Sequence, residues 1–440
     1  MMKKLHSLAF CALSFSLLMA LLPKVAAAQT LQYKGIWYRS SRASFFGELM
    51  DDVKPSGATY SPREAAILDL DQNFSALKNQ LAANAVVIRL PDDDGWQAQS
   101  GGVASYDPAG RPREETGVAQ EIILAVANKY GLKVIFVIEP SYYKRQVDDT
   151  FGSSSNPPGA WDFIHQFFGP ALYYGTRCTT KLELVGLANS CTGDYYSDTR
   201  VAGWLLSLEW DPGNHGDVSF INKYWNYFYS LVHWNGSQTG FAGIYLLGGP
   251  DTGITEMETR ISNFKNLFWP ITGNTQPDVF GLEWYGNGSY SCTNISLDMS
   301  EMFNVMRDWV YSVPPNRIAW MEGGSNTSDP GRVQCYTDAI NTAAGQGSKG
   351  LFVWSSDDYD NLGICYSGTG GDVLTPFASN TFTADACKNF GIPISDGWHW
   401  WNGSQWILVN ETWDAQYGRY QYSATLKNIG TAIHDGFVSH

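Results

Sequence analysis

Four glutamates stand at places where short apolar runs of the chain end, and an arginine ends a fifth run. For a single glutamate in such a place, a structural role, bonded to an arginine or a backbone amide, is the simpler interpretation. Four glutamates at equivalent strand ends favour a shared site instead. Clustered carboxylates raise one another's pKa, so some would be protonated and others ionised near neutral pH. Such an acid and base are what cleavage of a glycosidic bond requires. The residues are Arg89, Glu139, Glu209, Glu283 and Glu322.

The apolar runs are eight in number and rich in Val, Ile, Leu and aromatic residues, which is typical of strands buried on both faces of a parallel sheet. Segments with apolar residues at helical spacing lie between them, among them 64–82, 117–130, 299–311 and 334–344. This alternation predicts an α/β fold, a closed (β/α)8 or TIM barrel, in which the carboxyl ends of the strands carry the chemistry. The predicted strands are Tyr33–Tyr38, Ala85–Pro91, Lys133–Pro140, Val201–Trp210, Phe241–Leu247, Val279–Tyr285, Arg317–Gly323 and Gly350–Trp354.

The two ends of the chain differ in composition from the barrel, which is predicted over residues 29–391. Residues 1–28 have the basic start, apolar run and small-residue cleavage pattern of a secretory signal peptide, so a secreted or periplasmic protein is expected. Residues 392–440 predict a small β-rich extension, for which packing on the barrel is a simpler interpretation than sugar binding. Thr150–Thr199, rich in Gly, Ser, Pro and aromatics, predicts a long loop over the active end of the barrel.

The charge and the cysteine content limit which partners, disulfides and cofactors are expected for this protein. The formal net charge of −14 opposes binding to phosphate backbones, so nucleic acid is not an expected partner. Of seven cysteines, six follow the predicted signal peptide, and an even count in an exported chain favours disulfides over free thiols. No spacing of cysteines and histidines is typical of a zinc site, so a zinc ion is not expected. The simplest local pair is Cys178 with Cys191 and the next Cys365 with Cys387, leaving Cys292 and Cys335, although sequence alone allows 15 pairings.

Five of the runs together resemble glycoside hydrolase clan A, and family 5 within it most closely. Each motif alone is weak, but their order and spacing over residues 33–358 make the combination more specific. The segments are NAVVIRLP with Arg89, VAGWLLSLEWDP with Glu209, FGLEWYG with Tyr285, IAWMEGGS with Glu322 and GLFVWSS with Trp354. The resemblance implies that Glu322 is the nucleophile, Glu209 the acid/base, Arg89 and Tyr285 neighbours of the nucleophile, and Trp354 the floor of the substrate site.

The sequence departs from the family pattern at three positions. Leu208 stands where the family has an asparagine that bonds the sugar 2-hydroxyl, so that contact is missing or supplied otherwise. Glu139 and Glu283 stand where histidines are expected, which makes the site more acidic than the family norm. The Ile-Glu-Pro around Glu139 also resembles a separate barrel family of endo-acting mannosidases, but that family's Asn-Glu-Trp-His-Glu segment is absent. These departures indicate an outlying family, a different sugar or a degenerate site.

The resemblance implies a retaining mechanism on a β-linked poly- or oligosaccharide, which needs no metal or organic cofactor. Glu322 attacks the anomeric carbon while Glu209 protonates the departing oxygen, and Glu209 then acts as base for water. Arg89 would keep Glu322 ionised, and Tyr285 would orient it by a hydrogen bond. Aromatic rings offer platforms for sugar faces, and carboxylates accept bonds from hydroxyls. Besides Arg89 and Tyr285, the substrate-binding candidates are Glu139, Trp210, Glu283, Trp284 and Trp354.

Three other functions compete with this one. A carbohydrate-binding barrel without catalysis is favoured by the departures at Leu208, Glu139 and Glu283. A transglycosylase would use the same carboxylates and pass the sugar to another sugar. An esterase of the Ser/His type is disfavoured, because the chain has no GxSxG segment and few histidines. The oligomeric state cannot be read from the sequence.

Overall fold

The structure is a computed structural model. It describes residues 30–38, 45–89, 116–138, 177–192, 195–206, 225–233, 240–250, 252–272, 275–285, 293–309, 313–324, 332–354, 392–394, 397–401, 406–408, 411–414, 419–422 and 428–440.

Eight parallel strands close into a barrel, which confirms the predicted fold class. Each strand pairs with the next along the chain, and the last pairs with the first through Tyr33 and Gly350. All eight predicted strands are present, and those predicted to run longest end a few residues earlier. The strands are β1 (Tyr33–Trp37), β2 (Ala85–Arg89), β3 (Lys133–Ile138), β4 (Val201–Leu206), β5 (Phe241–Tyr245), β6 (Val279–Glu283), β7 (Ile318–Glu322) and β8 (Gly350–Val353).

Helices follow the strands and cover the outside of the barrel. The second helix begins with a capping box, in which Ser61 Oγ accepts a bond from the amide of Glu64 at 3.2 Å and the Ser61 amide donates to Glu64 at 2.8 Å. Each of the four helical segments predicted from apolar spacing overlaps a helix of the described structure. The helices are α1 (Phe45–Met50), α2 (Pro62–Leu81), α3 (Thr116–Lys129), α4 (225–232), α5 (Ile254–Thr272), α6 (Ile295–Trp309), α7 (Arg332–Gly345) and α8 (Asn428–Ser439).

Side chains alternate along each strand between two apolar layers. In β2, Ala85 and Val87 belong to a buried cluster to which all eight strands contribute, which is therefore the barrel interior. Val86 and Ile88 belong instead to the larger cluster between the strands and the helices. This alternation decides which residues at a strand end face the barrel axis.

A disulfide lies within the connection between β3 and β4, as the cysteine spacing predicts. Cys178 and Cys191 form a disulfide between two short antiparallel strands, Arg177–Cys178 and Cys191–Thr192. Arg200 then donates to both carboxylate oxygens of the buried Glu121 on α3, at 2.8 and 2.7 Å, and so ties the end of this segment to the barrel. Cys335 is also disulfide-bonded, to a partner outside the described residues.

The last segment of the chain contains both strands and a helix that belongs to the barrel. Three strands over 392–408 form one antiparallel sheet and two over 411–422 form another. Helix α8 packs against α7 and α2, and Ala432, Ile433 and Phe437 lie in the layer between strands and helices. The Lys34 ammonium also donates to the Phe437 carbonyl at 2.6 Å. The proposed division at 391/392 stays a prediction, and the chain after it includes the barrel's last helix.

The predicted signal peptide, residues 1–28, lies outside the described residues. Within the described ranges, no helix has the length and apolar character needed to cross a bilayer. Residues 150–176 of the predicted loop over the barrel are likewise not among those described.

Adjacent residues of α8 test its place in the barrel. Phe437 is fully buried, whereas Val438 is 63% exposed. We expect Phe437→Ala to lower the free energy of unfolding by about 3–5 kcal/mol, because it leaves a cavity in the packed layer. Val438→Ala should change it by less than about 0.5 kcal/mol. Denaturant unfolding of both variants gives the comparison, and equal small effects would contradict the packing of α8 on the barrel.

Candidate active site

Two glutamates come together at the carboxyl-terminal mouth of the barrel. Glu283 ends β6 and Glu322 ends β7, and a register shift after Leu282 makes the two glutamates direct neighbours across the strands. Both side chains are buried, at 4% and 5% exposure. An irregularity of this kind re-aims a side chain at the rim of a barrel. Here it brings two buried carboxylates to one place.

Each of these carboxylates accepts a hydrogen bond from its own tyrosine. The Tyr285 hydroxyl donates to Glu322 Oε1 at 2.6 Å, and the Tyr245 hydroxyl donates to Glu283 Oε1 at 3.2 Å. Both tyrosines belong to the interior cluster, so both carboxylates are reached from the axis side of the barrel. The 2.6 Å separation is typical of a hydroxyl bonded to an ionised carboxylate, which favours the charged form of Glu322.

Two glycines allow the backbone to approach this pair. A Cβ at Gly249 would lie 2.6 Å from the carbonyl oxygen of Glu283, and one at Gly323 would overlap the ring of Trp284. Backbone hydrogen bonds also continue past the strand ends. The Trp284 amide donates to the Glu322 carbonyl at 2.8 Å, and the Trp354 amide donates to the Gly323 carbonyl at 2.9 Å. The residues after β6, β7 and β8 are therefore fixed relative to one another.

Trp354 and Trp284 have different environments. Trp354 belongs to the interior cluster, and its ring lies edge-on to Trp37, with centroids 5.3 Å apart. Trp284 is fully buried in the layer between strands and helices, where its indole N–H donates to the Phe352 carbonyl at 2.8 Å and its ring packs on Tyr336. This differs from the expectation that Trp284 lines a sugar subsite, because no face of its ring is accessible there.

The other predicted site residues are placed in part. Arg89 is the last residue of β2 and is half-buried, and the alternation of Ala85 and Val87 puts its position on the axis side. Glu139, which follows the last residue of β3, lies outside the described residues, as do Glu209 and Trp210 after β4. Their roles, and the contact between Arg89 and Glu322, stay predictions.

Tyr245 is a site residue that the sequence did not single out. It lies at the end of β5, inside the apolar run FAGIYLL, and its hydroxyl is the one polar side-chain group of that run. A hydroxyl at a strand end next to the glutamate-bearing strand is a signal that could have identified it. Its fully buried hydroxyl has a partner in Glu283, as buried polar groups require.

No protein-family model matches the chain, and no curated protein sequence matches it. Among solved structures, the chain is similar to Saccharomyces cerevisiae Gas2p in complex with laminaritetraose and laminaripentaose, with 13% identity, a TM-score of 0.45 and coverage of 83% of this chain and 64% of that one. It thus spans about two thirds of that protein's length.

Two further solved structures are glycoside hydrolase family 5 enzymes, the family that the motifs resemble. One is a mannosidase from Rhizomucor miehei, with 12% identity, a TM-score of 0.45 and 94% of each chain covered. The other is from Prevotella bryantii, with 12% identity, a TM-score of 0.46 and coverage of 92% of this chain and 96% of that one. At these identities the similarity concerns the fold alone. The chain's own class is a (β/α)8 barrel with buried carboxylates at its carboxyl-terminal mouth.

The close approach at Gly323 gives a stability prediction. Gly323→Ala should lower the free energy of unfolding by about 1–3 kcal/mol, because the added methyl group overlaps the buried Trp284 ring. Gly345→Ala is the control, since a Cβ there meets nothing within 4 Å and the position lies in α7. That control should be neutral or up to about 1 kcal/mol more stable. Thermal and denaturant unfolding measure both, and an unchanged Gly323→Ala variant would contradict the described contact.

Proposed function

We propose that the protein is a secreted retaining glycoside hydrolase that cleaves β-glycosidic bonds in a poly- or oligosaccharide. The observation that carries the proposal is the buried carboxylate of Glu322, bonded to the Tyr285 hydroxyl at the mouth of the barrel. Active sites of barrel enzymes lie at this end, and glycosidic cleavage with retention needs an oriented, ionised carboxylate there.

Glu322 is the proposed nucleophile. The Tyr285 hydroxyl fixes the orientation of its carboxylate and stabilises the negative charge that attacks. Arg89, at the axis side of β2, would add positive charge near the same group. Glu322 attacks the anomeric carbon, so that a carboxylate–carbon bond forms as the bond to the departing oxygen breaks.

Glu209 is the proposed acid/base. It comes three residues after the end of β4, and in its protonated form it gives its proton to the departing oxygen. Water then attacks the glycosyl-enzyme, Glu209 takes one water proton, and Glu322 leaves as a carboxylate. A separation of about 5–5.5 Å between the two carboxyl groups fits this sequence of steps.

The substrate side of the site combines an aromatic ring with extra carboxylates. Trp354 is the proposed floor for the sugar ring, because it follows β8 and belongs to the interior cluster. Glu283, Glu139 and Trp210 are proposed to bind neighbouring sugar groups.

Export is supported by the amino-terminal pattern of the sequence and by the Cys178–Cys191 disulfide, since disulfides form mainly outside the cytosol.

A carbohydrate-binding barrel without catalysis is the second candidate. It is favoured by Leu208 in place of the asparagine that precedes the acid/base, and by Glu283 beside Glu322. Two adjacent buried carboxylates resist simultaneous ionisation, so Glu283 could hold a proton and bind a sugar hydroxyl without any chemistry at Glu322. Saturable glycan binding without product release by the wild type would support this candidate.

The catalytic assignment predicts the behaviour of Glu322→Gln. Wild-type protein should release sugar from one or more members of a panel of β-glucans, mannans, xylans and galactans. Glu322→Gln should lower that rate by about 10⁴-fold or more, because the amide cannot form the glycosyl-enzyme. Glu256→Gln on α5, a 54% exposed side chain, is the matched control and should keep wild-type activity. Full activity of Glu322→Gln, measured as product release, would overturn the assignment.

The two tyrosine contacts make separate kinetic predictions. Tyr285→Phe removes a hydrogen bond to a charged group, a loss of about 1.5–3 kcal/mol, so kcat should fall about 10- to 100-fold with little change in KM. Tyr245→Phe should mainly raise KM, because its hydroxyl bonds the proposed substrate-binding Glu283. Steady-state kinetics of the two variants measure this, and a larger kcat loss in Tyr245→Phe would point to Glu283 as the nucleophile instead.

A further inference from the structure

We propose a second ligand site, at the amino-terminal end of the barrel, that takes a small organic carboxylate with an aromatic or apolar body. A cavity of about 630 Å³ opens there, within the volume range of small-molecule sites. Its walls come from residues at or just before the starts of β1 and β4 to β8, together with α4 and the residue after it. Glu322 ends β7 and Arg317 precedes it, so this cavity lies at the opposite end of the barrel from the mouth.

Two cations, Lys349 and Arg317, line this cavity. Among the described residues, neither Lys349 nor Arg317 takes part in an ion pair. Within the described part of the chain, the Arg317 guanidinium donates to neutral oxygens, those of the Asp278 backbone at 3.3 Å, the Gln276 side chain at 3.3 Å and the Pro277 backbone. Its positive charge is therefore bonded but not neutralised.

Lys349 is the cation whose environment most needs an anion. Its ammonium lies 5.9 Å from the centre of the Tyr33 ring. Burial lowers the pKa of Lys349, and Asp278 only partly offsets this. A bound anion would restore the stabilisation that the ammonium loses when it leaves water.

The Asp278 carboxylate, which also lines the cavity, accepts hydrogen bonds from groups other than the two cations. Asp278 accepts bonds from His233 Nε2 at 2.7 Å, from the Ala242 amide at 2.8 Å and from the Tyr229 hydroxyl at 3.3 Å. Burial raises the pKa of Asp278, but these bonds outweigh it and hold the pKa below its usual range. Because the carboxylate is used in this way, the two cations keep an excess of positive charge in a protein whose net charge is −14.

Aromatic rings beside the cations define the rest of the ligand. Tyr33 and Phe241 both line the cavity, with ring centroids 6.0 Å apart. Burial raises the pKa of Tyr33, so its ring stays a neutral phenol and adds no competing negative charge. His233 also lines the cavity, and its Nδ1 is buried without a hydrogen-bond partner. Cations next to ring faces fit a carboxylate on an aromatic body better than a bare inorganic anion.

Titration calorimetry of the full chain tests the site, with benzoate as the probe and benzyl alcohol and inorganic phosphate as comparisons. Benzoate should bind saturably and at least about 10-fold more tightly than either comparison, because only benzoate offers both a charge and a ring. Lys349→Gln should weaken benzoate binding about 10-fold or more, while Lys349→Arg keeps the charge and should stay within about 3-fold of wild type.

Three controls separate this site from other effects. Lys54→Gln, which removes the same charge at an exposed position, should leave benzoate affinity unchanged. Glu322→Gln should also leave it unchanged, because that residue lies at the other end of the barrel. Thermal unfolding shows whether Lys349→Gln is folded, and Lys349→Arg keeps the test valid if it is not. Absence of saturable benzoate binding, equal binding of benzyl alcohol or phosphate, or full binding by folded Lys349→Gln would each overturn the proposal.

Discussion

A closed ring of eight strands leaves little space for side chains inside it. Interior positions must be filled without overlap, and large rings are accommodated where a neighbouring strand has glycine. A Cβ at Gly203 would lie 2.5 Å from the Phe241 ring, and one at Gly281 would lie 2.6 Å from the Met321 side chain. Because the middle of the barrel is packed with apolar groups, polar groups on the axis side are confined to the two ends of the strands.

The polar groups at the two ends of the barrel differ in charge. At the carboxyl-terminal end, a register shift between β6 and β7 sets Glu283 beside Glu322, and tyrosine hydroxyls from the interior reach both. At the amino-terminal end, Arg317 and Lys349 precede β7 and β8, and the described residues that line the cavity there include one carboxylate, Asp278. Buried acids therefore lie at one end of the apolar interior, and two cations without an ion-pair partner among the described residues lie at the other.

Much of the fold and part of the site were predictable from the sequence. The eight strands stand out because runs buried on both faces are apolar throughout, and the Cys178–Cys191 pair because its spacing is short. The contact of Tyr285 with Glu322 was expected from family resemblance. The register shift at Glu283 was not, because it depends on pairing between distant strands. The outward position of Trp284 follows the period-two alternation of Phe280 and Leu282, which lie in the same helix layer, so strand spacing does predict it.

The sequence did not predict the packing of α8 on the barrel or the amino-terminal cavity, and the reason is different in these two cases. Helix α8 follows segments of strand-like composition, so its apolar residues look like part of a separate extension until Phe437 is seen to pack on the barrel. The cavity is built from short connections before several strands, and no single stretch of sequence carries its pattern.

Chemical trapping of the glycosyl-enzyme tests whether Glu322 is the nucleophile. Wild-type protein would be incubated with activated 2-deoxy-2-fluoro β-glycosides of glucose, mannose, galactose and xylose, digested, and mapped by mass spectrometry. We expect one covalent sugar adduct, carried by the peptide that contains Glu322 and located on that side chain. An adduct on Glu283, Glu209 or any other residue, or hydrolysis with inversion and no adduct, would contradict it.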